Sequence, residues 1–480
     1  MSTFTLAADP PVHPSVLFSG FVSGSVRLLN NNSFIVDGRV GSGAEATVAM
    51  HGTGFGNAGA GLLSGAARVM VIEFTVGGRV MMRVDDAWLT GSKLVAWLDG
   101  DGMAFEEGVF IFNDTITLSN LPEYQDAYSG SDYVDGRGGD DTLLGSSGND
   151  TLVGGAGENW LEGGPGNDLM VSGVGGDWAD GGAGIDTFFS ANTLRNQAEA
   201  TFLSWGAVLT GPSPQGEDIL LGIERIAFLD GTLHLDPADA AGQVWRLYGA
   251  AFGREAETTG LSGWVGALDG GVSLTAAAAG FIGSAEFALR YGSLDDTGFI
   301  TRLYANVLGR TPDTAGLEGW KAFLAGGASR ADVLVGFSES AENRMATDPG
   351  IADGLWTVDP EAMDVLRCYM TVLGRQPDAE GLAHWIAARD DGLPNWMMVA
   401  YFITSPEFQA RFGDLSNEEF VSRLYLSALG RPADEQGLTD WTLLLDTRAV
   451  TRHELVTGFA QSDEMTMKLL PLIGDGIAFA

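Results

Sequence analysis

The sequence predicts a multidomain α+β chain. It has a β-rich module in residues 1–126, a repetitive short-strand block with a β cap in 127–236, and all-α tandem repeats in 237–480. Three observations carry this. Residues 70–84 alternate between apolar and polar. Residues 127–189 repeat every nine positions, with Gly and Asp at fixed places. After Asp236 the apolar residues take helical spacing, and a longer motif recurs four times.

In the first module Met70, Ile72, Phe74 and Val76 alternate, Gly77-Gly78 makes a two-residue turn, and Val80, Met82 and Val84 resume. That is a hairpin pattern. Val95–Leu98 and Val109–Leu118 are further strand candidates, and a small β sandwich or β-rich module is expected.

Charge narrows the function classes. Of 480 residues, 26 are basic and 63 acidic, a net charge of −37. No Lys/Arg run offers a nucleic-acid phosphate surface. The lone Cys368 excludes an intrachain disulfide and a Cys-based zinc site. A hydrophobic content of 45% argues against disorder. No apolar run approaches the roughly 18 residues a membrane helix needs. The N-terminal MSTFTLAADPPVHPSVLF lacks the basic and apolar regions of a secretory signal. A cytoplasmic location, or export by a route that does not read the N-terminus, stays open.

The acid is concentrated. Residues 127–189 carry a net −10 and 18 of the 69 Gly. Such a segment requires a cation to become compact. It divides into seven gapless units: AYSGSDYVD, GRGGDDTLL, GSSGNDTLV, GGAGENWLE, GGPGNDLMV, SGVGGDWAD and GGAGIDTFF. Position six is Asp132, Asp141, Asp150, Asn159, Asp168, Asp177 and Asp186. Position eight is Val134, Leu143, Leu152, Leu161, Met170, Ala179 and Phe188. Position four is Gly throughout. Glycine permits tight turns, the carboxylate oxygen suits Ca²⁺, and the residue two beyond it points into a core.

This pattern resembles the RTX (hemolysin-type) calcium-binding repeat, G-G-x-G-x-D-x-U-x. The resemblance implies a parallel β-roll with two units per coil and Ca²⁺ between stacked turns. Unit n then pairs with unit n+2, giving five sites: 132/150, 150/168, 168/186, 141/159 and 159/177. Asn159 lacks the charge and should weaken its two sites. Ala179 should leave slack in the core, and Ser146 and Ser172 replace turn glycines. The strands of residues 217–236 are expected to form a β cap over the last coil.

The helical motif runs Tyr248–Trp264, Tyr304–Trp320, Tyr369–Trp385 and Tyr425–Trp441, with steps of 56, 65 and 56 residues. It pairs as 237–350 and 351–480. Each copy continues to a Phe and a Ser-x-Glu: Phe281 and Glu286, Phe337 and Glu342, Phe402 and Glu407, Phe459 and Glu464. Val244, Leu247, Tyr248 and Ala251 share one helix face. Ser329 begins a capping box and Ser405-Pro406 another helix. The motif Y-x-x-x-L-G-R-x-x-D-x-x-G-L-x-x-W resembles a helical repeat family of unassigned function, common in secreted RTX and surface-layer-like bacterial proteins. The Trp residues are expected in the core. Arg310, Arg375 and Arg431 are expected to tie loops together. Glu257, Asp313, Asp378 and Asp434 are expected to cap helices rather than bind metal.

The sequence holds no G-x-S-x-G, H-E-x-x-H or Walker loop. Gly54, Gly56 and Gly59 satisfy G-x-G-x-x-G without a following helix pattern, and read as a β loop. Of five scattered His, only His51 sits beside a loop glycine. Cys368 reads as a buried small hydrophobe. The C-terminal LLPLIGDGIAFA resembles an uncleaved type I secretion signal.

The expected protein is therefore secreted, calcium-binding, structural and not an enzyme. It is expected outside a Gram-negative bacterium or at its cell surface, where it folds in external Ca²⁺ and self-associates into a surface layer, fibre or matrix. Its expected partners are further copies, cell-surface polysaccharide and, during export, the type I secretion machinery. Nucleic acid and membrane insertion are not expected. The alternatives are an adhesin for glycan or host surfaces, and a secreted enzyme with its active site in residues 1–126.

Overall fold

The structure is a computed structural model. It describes the strands of residues 2–90 by their backbone, and residues 113–473 apart from 119, 121, 192, 213, 215, 352 and 353. The Gly54–Gly59 motif, Val95–Leu98 and the end of the C-terminal signal lie outside the described residues. The chain forms two compact units, Met1–Ala191 with Gln197–Ala227, and Asn192–Asn196 with Phe228–Ala480.

In the first unit β2 (Ser23–Asn30), β3 (Ser33–Arg39), β4 (Glu45–Thr53), β5 (Ala66–Val76) and β6 (Arg79–Thr90) pair in order as an antiparallel meander. Val76 pairs with Arg79, as a two-residue hairpin turn requires. The described strands make one sheet rather than the two facing sheets of a sandwich. His51 lies within β4, opposite Ser33 and Val71, and not in a loop. Strand β1 (Ser2–Leu6) pairs antiparallel with β6 and parallel with β7 (Asp114–Thr117), so the meander runs on into the roll.

The roll has two parallel ladders. One holds β7, β9 (Tyr133–Asp135), β11 (Thr151–Val153), β13 (Leu169–Val171), β15 (Thr187–Phe189) and β19 (Arg225–Phe228). The other holds β8 (Tyr124–Asp126), β10 (Thr142–Leu144), β12 (Trp160–Pro165), β14 (Trp178–Ala183) and β18 (Glu217–Leu221). Within the nonapeptide block, partners differ by 18 residues, which is two units per coil. All seven eighth-position residues are fully buried. Ile116 and Ile226 continue one inward column beyond the repeats. The fourth-position glycines all have positive φ, from 115° at Gly139 to 155° at Gly166. A side chain there would meet the carbonyl of the glycine one coil earlier, as at Gly148 against Gly130.

The parallel ladders thus exceed the nonapeptide block at both ends. Residues 217–228, expected as a cap, continue the coil in parallel register. A hairpin of β16 (Glu199–Leu203) and β17 (Gly206–Thr210) extends the second ladder by pairing antiparallel with β18.

The second unit is helical, with two apolar cores. One gathers Val244, Leu247, Phe281, Leu303 and Phe337 from the first repeat pair. The other gathers Leu366, Val372, Phe402, Leu424 and Phe459 from the second pair. A short antiparallel pair, β20 (Gly231–His234) and β21 (Leu355–Val358), sets Gly231 opposite Val358 and His234 opposite Leu355. Buried His234 bridges Asp239 and Thr357 at 2.7 and 2.8 Å. Arg246 is 1% exposed, and Glu339, Asp348 and the Pro237 carbonyl surround its guanidinium.

Candidate metal sites in the roll

The seven sixth-position residues come together in two columns, as the two-unit coil demands. From Asp141 on, each side chain reaches back 18 residues to a backbone N–H, the first to Glu123 at 2.8 Å. Asp132 donates its N–H to Asp150 Oδ1, Asp150 to Asp168 and Asp168 to Asp186, each at 2.8 Å. In the other column Asp141 donates to Asn159 Oδ1 and Asn159 to Asp177, each at 3.0 Å. All seven side chains are at most 3% exposed.

Oδ2 of Asp132, Asp141, Asp150, Asp168 and Asp186 is buried with no hydrogen-bond donor. Buried polar atoms are otherwise satisfied in native proteins, so five such oxygens require an explanation. The last four each face the first glycine of their own unit. A Cβ on Gly136 would lie 2.7 Å from both Asp141 Oδ2 and the Gly154 carbonyl. A Cβ on Gly145 would lie 2.5 Å from Asp150 Oδ2 and 2.8 Å from the Gly163 carbonyl. Gly163 faces Asp168 Oδ2 and the Gly181 carbonyl, and Gly181 faces Asp186 Oδ2 and the Gly222 carbonyl. Each space is bordered by a carboxylate oxygen and a carbonyl oxygen, the hard donors that Ca²⁺ takes.

Burial raises the carboxyl pKa in both columns, because no positive charge offsets the lost solvation. Asp141 and Asp150 are pushed up to about 7 and Asp186 to about 6; Asp168 and Asp177 also move up.

Three units are built differently. In the first, Ala127 stands where the cradle glycine belongs, and its methyl is fully buried. In the fourth, Asn159 uses its one oxygen on Asp141 N–H, so its Nδ2 sits 2.8 Å from a Cβ on Gly154. An N–H donor there repels a cation. In the sixth, Ser172 replaces the glycine, accepts from Ala191 N–H and donates to the Phe189 carbonyl. Asp177 is satisfied by Asn159 N–H and Nδ2 and by Gly173 N–H.

Two acids outside the repeats join the columns. Asp218 accepts from Asp177 N–H at 2.9 Å and Glu224 from Asp186 N–H at 2.8 Å. Burial pushes Asp218 up to about 7. Asp218 is 41 residues beyond Asp177, because the β16–β17 hairpin intervenes. No nine-residue search can reach it.

Among the described residues, no three His, Cys, Asp or Glu side chains converge as a metal cluster. In the roll, each of the four spaces pairs a single carboxylate with a backbone carbonyl.

The helical acids do other work. Asp313, Asp378 and Asp434 accept from Gly316, Gly381 and Gly437 N–H, as helix caps. Glu257 makes no such bond and pairs with Arg254 at 3.0 Å. Arg254, Arg310, Arg375 and Arg431 pair with Glu286, Glu342, Glu407 and Glu464. Each guanidinium also lies 5.1–5.3 Å from the ring centre of its repeat's Tyr. The repeated Tyr, Arg and Glu are therefore one structural clasp. Cys368 is 1% exposed, and burial pushes its thiol up to about 12.

The fold and these spaces define a protein that joins a calcium-type β-roll to helical repeats. Residues 126–152, 144–179 and 153–188 match the RTX calcium-binding nonapeptide repeat (4 copies). Residues 278–346 and 399–469 match the Domain of unknown function (DUF4214). No curated protein matches the chain. Among solved structures, the extracellular lipase LipA from Serratia marcescens is similar at 17% identity, with a TM-score of 0.17. That similarity covers 31% of this chain and 28% of the lipase chain. The chain carries calcium-binding repeats of a kind typical of secreted proteins. Among the described residues, no helix is long and apolar enough to cross a membrane.

Proposed function

We propose a secreted, non-enzymatic structural protein whose roll becomes rigid when it binds external Ca²⁺. The carrying observation is the set of four buried, donorless carboxylate oxygens, each beside a glycine and a carbonyl. Asp141, Asp150, Asp168 and Asp186 would hold the ion with the carbonyls of Gly154, Gly163, Gly181 and Gly222. Bound Ca²⁺ would supply the positive charge that these carboxylates lack. Asp132, Asn159 and Asp177 would act through hydrogen bonds between coils, with Ala127, the Asn159 amide and Ser172 closing their cradles.

On this reading one column has three adjacent sites and the other has one. The chain would cross a secretion channel unfolded at low cytosolic Ca²⁺, and binding energy would become folding energy outside. Self-association at the cell surface, as a layer, fibre or matrix, is the assembly role we assign to it. The unsatisfied surface charge outside the roll would then be bridged by further Ca²⁺.

Calorimetric titration of the chelated protein with Ca²⁺, paired with circular dichroism and light scattering, tests this. About four ions and a gain of β signal are expected. No gain of order overturns the folding role. A strict monomer at millimolar Ca²⁺ overturns the assembly role alone.

A further inference from the structure

The four helical repeats share one geometry and depart from it at one place. The Tyr and Phe of each repeat stay constant. Tyr248–Phe281, Tyr304–Phe337, Tyr369–Phe402 and Tyr425–Phe459 meet edge to face at 4.7, 5.0, 4.8 and 4.9 Å. The Trp does not. Trp264, Trp320 and Trp385 lie 5.1, 4.8 and 5.0 Å from their Phe, inclined by 46°, 27° and 35°. Trp441 lies 6.3 Å from Phe459, inclined by 62°.

In the first two repeats the indole roofs a glycine. A Cβ on Gly280 or Gly336 would stand 2.7 Å from Cη2 of Trp264 or Trp320. A Cβ on Gly458, the counterpart, would meet nothing within 4 Å. The space that an indole ring fills elsewhere is open here.

The cause is one extra residue. Trp and Phe are 17 apart in the first three repeats and 18 apart in the fourth. The insertion falls in the connection between the helices Glu435–Asp446 and Arg452–Ala460. The left-handed position of that connection is Gly271, Gly327 and Gly392 in the other repeats, with φ of 94°, 101° and 91°. Here it is Arg448, with φ of 58°. The next cap follows two residues after Gly271, at Ser273, but three after Arg448, at Thr451. The longer connection carries Trp441 away from Gly458.

What remains is a cavity of about 240 Å³. Tyr425, Trp441 and Phe459 form walls, Gly458 the floor, and Glu454 and Glu464 the rim. Arg431 neutralises Glu464 at 2.7 Å. Glu454 accepts from the N–H and hydroxyl of Thr451, which leaves its negative charge at the rim. Aromatic walls favour a flat apolar ring, and a carboxylate at the rim favours an ammonium carried on that ring.

We propose that this cavity binds an aromatic amine of the indolyl- or aryl-alkylammonium class. The ring takes the place the indole occupies in the first two repeats, and the ammonium faces Glu454. The proposal is independent of the calcium reading.

Calorimetric titration of the full chain with tryptamine and with indole-3-acetate tests it. Saturable one-to-one binding of tryptamine is expected, at least about tenfold tighter than the acid. Deleting Ala449 restores the 17-residue spacing and returns Trp441 over Gly458. Gly458→Leu fills the cavity from its floor. Each variant should weaken tryptamine at least about tenfold while retaining helical circular dichroism. The two act at different places, so one failing to fold leaves the other as the test. No saturable binding by the wild type overturns the proposal, as does wild-type affinity in either folded variant. Equal affinity for amine and acid overturns the assignment of a cation.

Discussion

Asp150 donates its backbone N–H to Oδ1 of Asp168 across 2.8 Å, while Oδ2 of Asp168 faces Gly163, buried and without a donor. One carboxylate therefore has two tasks. Its first oxygen ties two coils together, and its second, which meets no donor, is the one we assign to Ca²⁺. Asparagine at the same position can do only the first. Asp168→Asn should keep the link between coils and lose one Ca²⁺, lowering the calorimetric stoichiometry by about one. Asp177→Asn should leave the stoichiometry unchanged, because both Asp177 oxygens already accept hydrogen bonds. Loss of a Ca²⁺ from Asp177→Asn would contradict this division.

The same geometry can be tested by opening a closed cradle. Ser172→Gly removes the side chain that stands in the Asp177 unit. Gly145→Ala does the reverse, placing a methyl 2.5 Å from Asp150 Oδ2. Gly145→Ala should lose a site and lower the Ca²⁺-bound melting temperature. At free Ca²⁺ about 100-fold above its dissociation constant, a site contributes about 2.7 kcal/mol, which is the loss expected. Ser172→Gly restores the glycine of the other units and is expected to raise the stoichiometry.

Stability should depend on pH in opposite senses with and without Ca²⁺. In chelator, burial raises Asp141 and Asp150 to about 7 and Asp186 to about 6. The unfolded chain has carboxylates near the ordinary value of about 4. The folded roll thus binds more protons between these limits, and stability falls as pH rises. The contribution is complete below about pH 4 and is lost by about pH 7. Chelated protein should therefore gain β signal on acidification through this window. With Ca²⁺ present, protons compete with the ion, and apparent affinity should fall on acidification. Urea melts at several pH values, with chelator or Ca²⁺, check both signs.

The nine-residue period made the core column legible, because a residue two beyond an acid must face inward in a short strand. All seven such residues are buried, even the small Ala179. The ends of the roll were not legible. Ile116 faces inward without a repeat glycine four residues before it, since a strand can join a ladder by backbone pairing alone, whereas Ile226 follows Gly222 and Glu224 at repeat spacing but out of phase with the gapless block. The cradles were half legible. Ala127, Asn159 and Ser172 depart visibly from the repeat, but only the packed coil shows which carboxylate oxygens lie beside a glycine and a carbonyl. The displaced Trp441 was signalled by one number, the 18-residue spacing to Phe459, whose effect depends on three sister repeats being aligned.

The helical repeats carry a last test, at the glycine before their Leu. A Cβ on Gly437 would lie 2.6 Å from the Tyr425 hydroxyl, and Gly260, Gly316 and Gly381 stand equally close to their own Tyr. These glycines have ordinary helical backbone, so conformational freedom does not explain them. Space does. Alanine is the better helix former by about 0.8–1.0 kcal/mol, and on propensity alone Gly437→Ala should stabilise the chain. The buried Tyr425 cannot retreat, because Phe459 meets its ring at 4.9 Å and Arg431 covers it at 5.3 Å. Overpacking of this kind costs about 1–3 kcal/mol, which outweighs the propensity gain. Gly437→Ala should therefore lower the urea midpoint of the helical unit. Adding Tyr425→Phe removes the oxygen in the way, and the double variant should recover most of the loss. A Gly437→Ala chain as stable as the wild type would show that Tyr425 has room to move.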